Sequence, residues 1–136
     1  MKKTTQEILN LIGQSIFDKK GFNILALDVT GLSSICDYMV IAEGNVDRHV
    51  VAIARELISV LRDAGVKVYQ SDGFENGEWV LVDFGNVMVH IFGPGLREKF
   101  ALEKLWPTCT IVDLVIDVSR PQMTHPVRHL TPQYSL

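Results

Sequence analysis

Segments that mark membrane or exported proteins are missing from this sequence. No apolar run approaches the roughly 20 residues that a membrane-spanning helix needs. The start, Met1-Lys2-Lys3, leads into the polar stretch Thr4-Thr5-Gln6-Glu7 and not into the apolar core of a signal peptide. We therefore expect a soluble, cytoplasmic protein with no membrane partner. At 136 residues the chain has the length of about one domain, which is enough to bury a core.

Cysteine is also scarce, which excludes a disulfide framework. The two cysteines, Cys36 and Cys109, have no metal-ligand spacing and occur in unlike contexts, one before a predicted strand and one in a late segment shortly after Pro107. The sequence favours reduced thiols with a structural role.

Positive charge is missing from one long stretch. Residues 68–96 contain no Lys or Arg, although the formal net charge of the whole chain is only −3. Four carboxylates and three aromatic residues alternate there, namely Asp72, Phe74, Glu75, Glu78, Trp79, Asp83 and Phe84. This stretch would repel RNA, so we expect no direct nucleic-acid specificity. It is either a solvated acidic loop and strand edge or a docking surface for a basic protein.

Catalytic and metal-binding patterns are absent too. Asp83-Phe84-Gly85 matches the metal-binding tripeptide of protein kinases, but the accompanying phosphate loop and catalytic loop are missing. Nucleotidyl transfer would need a second carboxylate beside Asp83, and positions 81 and 85 hold Leu and Gly. His90 and His49 lie in different predicted elements, which favours a hydrogen-bonded structural His90 over a zinc ligand. We predict no catalytic residue, no metal and no cofactor.

The first half of the chain has the pattern of a helix, two strands and a second helix. Thr4 and Glu7 form a predicted capping box, and the first helix is predicted to end at Lys19-Lys20-Gly21, with Gly21 in the left-handed cap. Residues 23–29 and 37–42 are rich in branched side chains and predict strands. Asp47 is the predicted cap of a second helix that ends at Gly65.

The second half predicts a strand near 66–69 and then a hairpin. Residues 79–84 and 87–92 flank Gly85-Asn86, a two-residue connection typical of a tight turn. A third helix is predicted over 96–106 with Leu96, Phe100 and Leu105 inward, followed by a strand within 111–118 and a proline-rich, mobile tail from Ser119 that includes His125 and His129. The order of elements predicts one α/β domain, a mixed sheet flanked by helices.

The hairpin and the third predicted helix resemble the signature of the ribosomal silencing factor family, also called Iojap-related. The resemblance is carried by residues 78–92 (EWVLVDFGNVMVHIF) and 97–106 (REKFALEKLW), with upstream support from residues 26–29, 37–41 and 44–50. It covers roughly residues 1–107, which we take as the family domain, and leaves 108–136 as a C-terminal extension with a partly mobile tail.

The resemblance implies a nucleotidyltransferase-like fold without the catalytic carboxylates. It also implies that the chain binds the large ribosomal subunit through its basic ribosomal protein fourteen, blocks association with the small subunit and represses translation under nutrient limitation. We expect Trp79 and Phe84 to be apolar anchors, with Phe100 as a further contact, and the acidic residues Glu75, Glu78 and Asp83 to complement the partner's charge. The alternatives are a nucleotide-handling enzyme of the same fold and a homodimeric adaptor.

Overall fold

The computed structural model describes residues 2–101 and 104–119, without the side chain of Phe100. The helices are α1 (Thr5–Asp18), α2 (Asp47–Asp63) and α3 (Leu96–Phe100). The strands are β1 (Phe22–Asp28), β2 (Tyr38–Glu43), β3 (Gln70–Asp72), β4 (Trp79–Asp83), β5 (Val87–Phe92) and β6 (Thr110–Val112).

The strands form one mixed sheet in the order β3-β4-β5-β2-β1-β6. Strands β2 and β5 pair in parallel, whereas the other four neighbouring pairs are antiparallel. The parallel pair requires a long crossover, which α2 and the β3-β4 hairpin provide. This confirms the predicted α/β class with a mixed sheet flanked by helices.

Helices α1 and α2 pack side by side on one face of the sheet. Their apolar stripes are almost completely excluded from solvent, and they meet the inward side chains of the central strands in the main core. Helix α1 begins with the predicted capping box, because Thr4 Oγ1 accepts the Glu7 N–H and Glu7 Oε1 accepts the Thr4 N–H at 2.7 Å. We call this side of the sheet the helix face.

Three predicted helix ends differ from the structure. Lys20, and not Gly21, has the left-handed backbone after α1, at φ 69°; Gly21 is needed because a Cβ there would lie 2.3 Å from Ile16. Val46 is the N-cap of α2 and makes no side-chain capping bond, since Asp47 is already the first helical residue. Helix α3 ends at Phe100 and not at residue 106, because Ala101 turns left-handed at φ 45°. Leu105 is therefore 61% exposed and not inward.

Two predicted strands are displaced or shortened. Residues 66–69 are not in a strand. The edge strand β3 begins at Gln70, one residue after the predicted strand ends. Only 110–112 of the later segment pair with the sheet, against β1. Residues 113–117 instead follow α1, where the side-chain amides of Gln6, Asn10 and Gln14 hydrogen-bond to the segment's backbone. The described fold thus continues past residue 107. The predicted tail, with His125 and His129, lies beyond Ser119 outside the described residues.

Candidate functional site

The second face of the sheet is only partly covered, and it presents the hairpin's outward side chains. We call it the open face. Because side chains alternate along a strand and the β4–β5 register pairs Trp79 with Phe92 and Asp83 with Met88, one set of residues shares it. The set is Leu25, Leu27, Met39, Ile41, Trp79, Leu81, Asp83, Met88, His90 and Phe92. Helix α3 and residues 104–109 cover part of it through Leu96, Trp106 and Cys109.

An aromatic cluster lies at the open end of the hairpin on this face, where Trp79 pairs with Phe92. The Trp79 indole N–H donates to His90 Nδ1 at 3.1 Å. The Trp79 ring also lies 4.9 Å from the Phe92 ring and 5.9 Å from the His90 ring, centroid to centroid. Trp79 is half-buried, so part of the indole is accessible. The cluster therefore presents a large apolar side chain in a fixed orientation.

The His90 imidazole is a neutral acceptor in this cluster. It is 8% exposed, and burial lowers its pKa from 6.5 to about 4. A proton on Nδ1 would also remove the acceptor that Trp79 uses, so the proton of the neutral ring lies on Nε2. This confirms the prediction of a hydrogen-bonded structural histidine.

The three acidic residues of the predicted site are all accessible to some degree. Asp83 lies on the open face with Trp79, and its Oδ1 accepts the Gly85 N–H at 2.8 Å, which stabilises the hairpin turn. Glu78 is exposed immediately before Trp79, and Glu75 is exposed in the same loop. Trp79 and Asp83 thus lie on the open face at opposite ends of β4, Trp79 at its start next to the exposed Glu78 and Asp83 at the turn, with Glu75 in the loop before the strand.

The structure does not bring Phe84 to this surface. It follows β4 on the same side as Val80 and Val82 and so lies on the helix face, where it is 5% exposed and part of the main core. It is therefore buried away from Trp79 and Asp83. The side chain of Phe100 lies outside the described residues, so its predicted contact stays a prediction.

A second group, missed by the sequence analysis, holds α3 against the edge of the open face. Arg97 Nη1 contacts Glu43 Oε2 at 3.1 Å, with both side chains about 15% exposed, and it also donates to the Asn23 carbonyl. The Asn23 amide donates to the same Glu43 oxygen at 2.9 Å. Nothing in the sequence predicted this group, because it joins residues that are far apart in the chain.

By contrast, the aromatic cluster had a signal in the sequence. The two-residue turn fixes the β4–β5 register, and this register brings His90 and Phe92 close to Trp79.

The part of the chain that the structure describes contains neither a metal-binding cluster nor a membrane-spanning helix. Within 2–101 and 104–119, no group of three His, Cys, Asp or Glu side chains could hold a metal ion. Among the helices that the structure describes, none is both long enough and apolar enough to cross a membrane. Both cysteines are unpaired thiols, as predicted.

The fold and its open face define a small α/β domain with an aromatic, acid-flanked sheet surface. Residues 2–133 match the family model described as ribosomal silencing factor during starvation. The ribosomal silencing factor RsfS of Bacillus subtilis (strain 168) is 41% identical over 109 residues, which are 80% of this chain and 92% of that protein. The chain belongs to the ribosomal silencing factor family.

A solved structure and an organellar relative extend the comparison. The crystal structure of a Chromobacterium violaceum protein is similar at a TM-score of 0.75 and 36% identity, covering 88% of this chain and 98% of that one. The mouse protein named mitochondrial assembly of ribosomal large subunit protein 1 is 32% identical over 89 residues, 61% of this chain and 38% of its own length. The family match extends past residue 107, where the resemblance noted in the sequence ended.

Proposed function

We propose that this protein binds the large ribosomal subunit through ribosomal protein fourteen and sterically blocks association with the small subunit. It represses translation in this way when nutrients are limiting, and it acts in the cytoplasm, where the subunits join. The observation that carries the proposal is the open face, where an oriented and accessible Trp79 follows the exposed Glu78 at the start of β4 and shares the face with Asp83 at the end of the strand. Membership of the silencing factor family supports it.

The chemistry of the open face suits a basic protein better than RNA. A half-buried tryptophan held by its neighbours is the kind of side chain that dominates protein interfaces, because little conformational entropy remains to be lost on binding. The carboxylates beside it attract a basic partner and repel phosphates. Trp79, Glu78 and Asp83 form the proposed contact surface, with Glu75 as an outer contact. Phe84 supports this surface from the core.

Silencing then follows from mass action and needs no chemical step. A protein that binds only the free large subunit opposes joining by RT ln(1 + [L]/Kd), which is roughly 2.7 kcal/mol at about 100 times Kd. Whole ribosomes should not bind the protein or dissociate when it is added, because the joined small subunit already covers the interface.

The test is an order-of-addition experiment on sucrose gradients. Large subunits are mixed with the protein either before or after small subunits are added. We expect fewer whole ribosomes only when the protein is added first, and no protein in the whole-ribosome fraction. Equal amounts of whole ribosomes in both orders, with the protein sedimenting among them, would show that it binds without silencing.

A pair of variants connects that result to the open face. Trp79→Ala should abolish the effect of early addition. Phe74→Ala is the matched control, because Phe74 is also a half-buried aromatic residue but packs on the helix face, 5.1 Å from the Arg55 guanidinium. If both variants silence like the wild type, the open face is not the docking surface.

A second copy of the chain is the other candidate occupant of this face. Ile111 pairs with Leu27 at the sheet edge and is 64% exposed, and Leu105 beside Trp106 is 61% exposed. These apolar side chains favour a homodimer that competes with the ribosome. Sedimentation equilibrium should then show dimers that dissociate when ribosomal protein fourteen is added, whereas a ternary complex would contradict competition.

A further inference from the structure

A groove with a basic rim lies on the helix face, at the turn end of the hairpin. Its rim carries Lys2, Lys3 and Lys67, and its floor includes Ile8, Tyr69 and Phe84. It has a volume of about 690 Å³, and no carboxylate is among its lining residues. We call it the lysine groove. Three ammonium groups around an apolar floor are an unusual concentration of positive charge in a chain of net charge −3.

The groove has the chemistry of a sequence-independent phosphate contact. Lysine binds phosphate as a point charge on a flexible stem. Tyr69 is 60% exposed with the Lys67 ammonium 4.7 Å from its ring centroid, so an aromatic surface and a cation are offered together. The Glu7 carboxylate, four residues after Lys3, is already used in the capping box of α1.

The position of the lysine groove relative to the open face indicates which part of the ribosome the groove contacts. The tip of the hairpin separates the two surfaces, because Gly85 lies against the Tyr69 ring of the groove and donates its N–H to the Asp83 carboxylate of the open face. A ribosomal protein is surrounded by ribosomal RNA. A molecule docked on such a protein through its acidic open face therefore presents its basic end to the adjoining RNA.

We propose that the lysine groove contacts the phosphate backbone of ribosomal RNA next to the docked protein. This inference rests on the proposed function, and it adds a second surface with the opposite charge. The acidic face and the basic groove together would fix the orientation on the subunit, since reversing the molecule would place like charges against each other. The contact needs no base recognition.

The test measures how binding to large subunits depends on salt. The variant Lys2→Gln/Lys3→Gln/Lys67→Gln is compared with the wild type between about 100 and about 200 mM salt. If each lysine neutralises one phosphate, the slope of log K against log salt should be smaller by about 2 to 3 in the variant. The wild type should then lose about fivefold more affinity over this range than the variant does.

A matched control removes three cations from the other end of the same helices. Lys19→Gln/Lys20→Asn/Arg48→Gln changes the net charge equally, at the end of α1 and the start of α2. These positions lie roughly 20 Å along α1 from Lys2 and Lys3. The control should keep the wild-type slope. An equal change of slope in both variants would show only general electrostatics and would overturn the proposal.

Binding to isolated ribosomal protein fourteen distinguishes RNA from protein as the occupant. The lysine-groove variant should bind the isolated protein as tightly as the wild type does, while its affinity for the subunit falls. Weaker binding to the isolated protein would assign the groove to a protein contact and overturn this inference. If the wild type binds neither the isolated protein nor the subunit, the proposed function fails instead.

Discussion

The neutral state of His90 predicts a specific dependence of stability on pH. In the folded protein the pKa of this imidazole is lowered to about 4 by burial, whereas in the unfolded chain it should be near 6.5. Below pH 6.5 the unfolded state binds a proton that the folded state does not bind until about pH 4. Stability from His90 is therefore present above pH 6.5 and is lost as the pH falls from about 6.5 to about 4.

The magnitude follows from the two pKa values. Linkage gives a loss of about 2 to 3 kcal/mol in the free energy of unfolding between about pH 7 and about pH 4.5 from this one residue. That is a large part of the stability of a small domain. Carboxylates and the other histidines also titrate in this range, so the pH dependence of the wild-type stability does not by itself isolate the contribution of His90.

The comparison with His90→Gln isolates the contribution. Glutamine can still accept the Trp79 indole N–H but does not titrate, while every other ionisable group is retained. Urea unfolding at the two pH values should show that the wild type loses about 2 to 3 kcal/mol more than the variant. Equal losses would refute the assignment of His90 as a buried, neutral acceptor.

Three further predictions test the site and its supports. Trp79→Ala should weaken binding to isolated ribosomal protein fourteen by about 2 kcal/mol or more in calorimetry, with the circular dichroism spectrum unchanged; unchanged affinity would remove Trp79 from the interface. Phe84→Ala should lower the free energy of unfolding by about 3 to 5 kcal/mol in urea titrations, because it opens a cavity in the main core; a loss of binding without this destabilisation would make Phe84 a surface contact. In a double-mutant cycle, Arg97→Gln and Glu43→Gln should couple by about 1 to 2 kcal/mol, and additive effects would show that their ion pair does not hold α3.

The hairpin was predictable because its information is local. Alternating apolar residues on both sides of Gly85-Asn86 define two strands, and the two-residue turn then fixes which residues face each other. Helix α1 was predictable in the same way from its capping box and apolar spacing. The aromatic cluster follows from the hairpin register, which pairs Trp79 with Phe92 and places His90 two residues before Phe92 on the same side of the sheet.

Other features depend on contacts between distant residues, which no local pattern reports. Helix α3 is short because Ala101 turns left-handed, and the remaining helix is held by Arg97 on Glu43 and Asn23 of the first two strands. The segment after β6 resembles a strand in its side chains, yet it follows α1 because side-chain amides of that helix bind its backbone.

The sequence by itself determined the family, the mixed α/β class, the cation-free stretch and the hairpin. The family was indicated by the resemblance of residues 78–92 and 97–106 to its signature, whereas the other three are properties of composition and short-range periodicity, which do not depend on how the elements pack. Alternation along the strand already indicated that Trp79 and Phe84 point to opposite sides of the sheet, and only the tertiary structure decided which of the two sides the helices cover. Trp79 and Phe84 are five positions apart, and both were predicted to be anchors, but they lie on opposite sides of the sheet. Trp79 faces outward beside His90, whereas Phe84 lies in the core under α1 and α2. The physical reason is that burial is decided by the helices that cover one face of the sheet, and their arrangement is set by long-range packing.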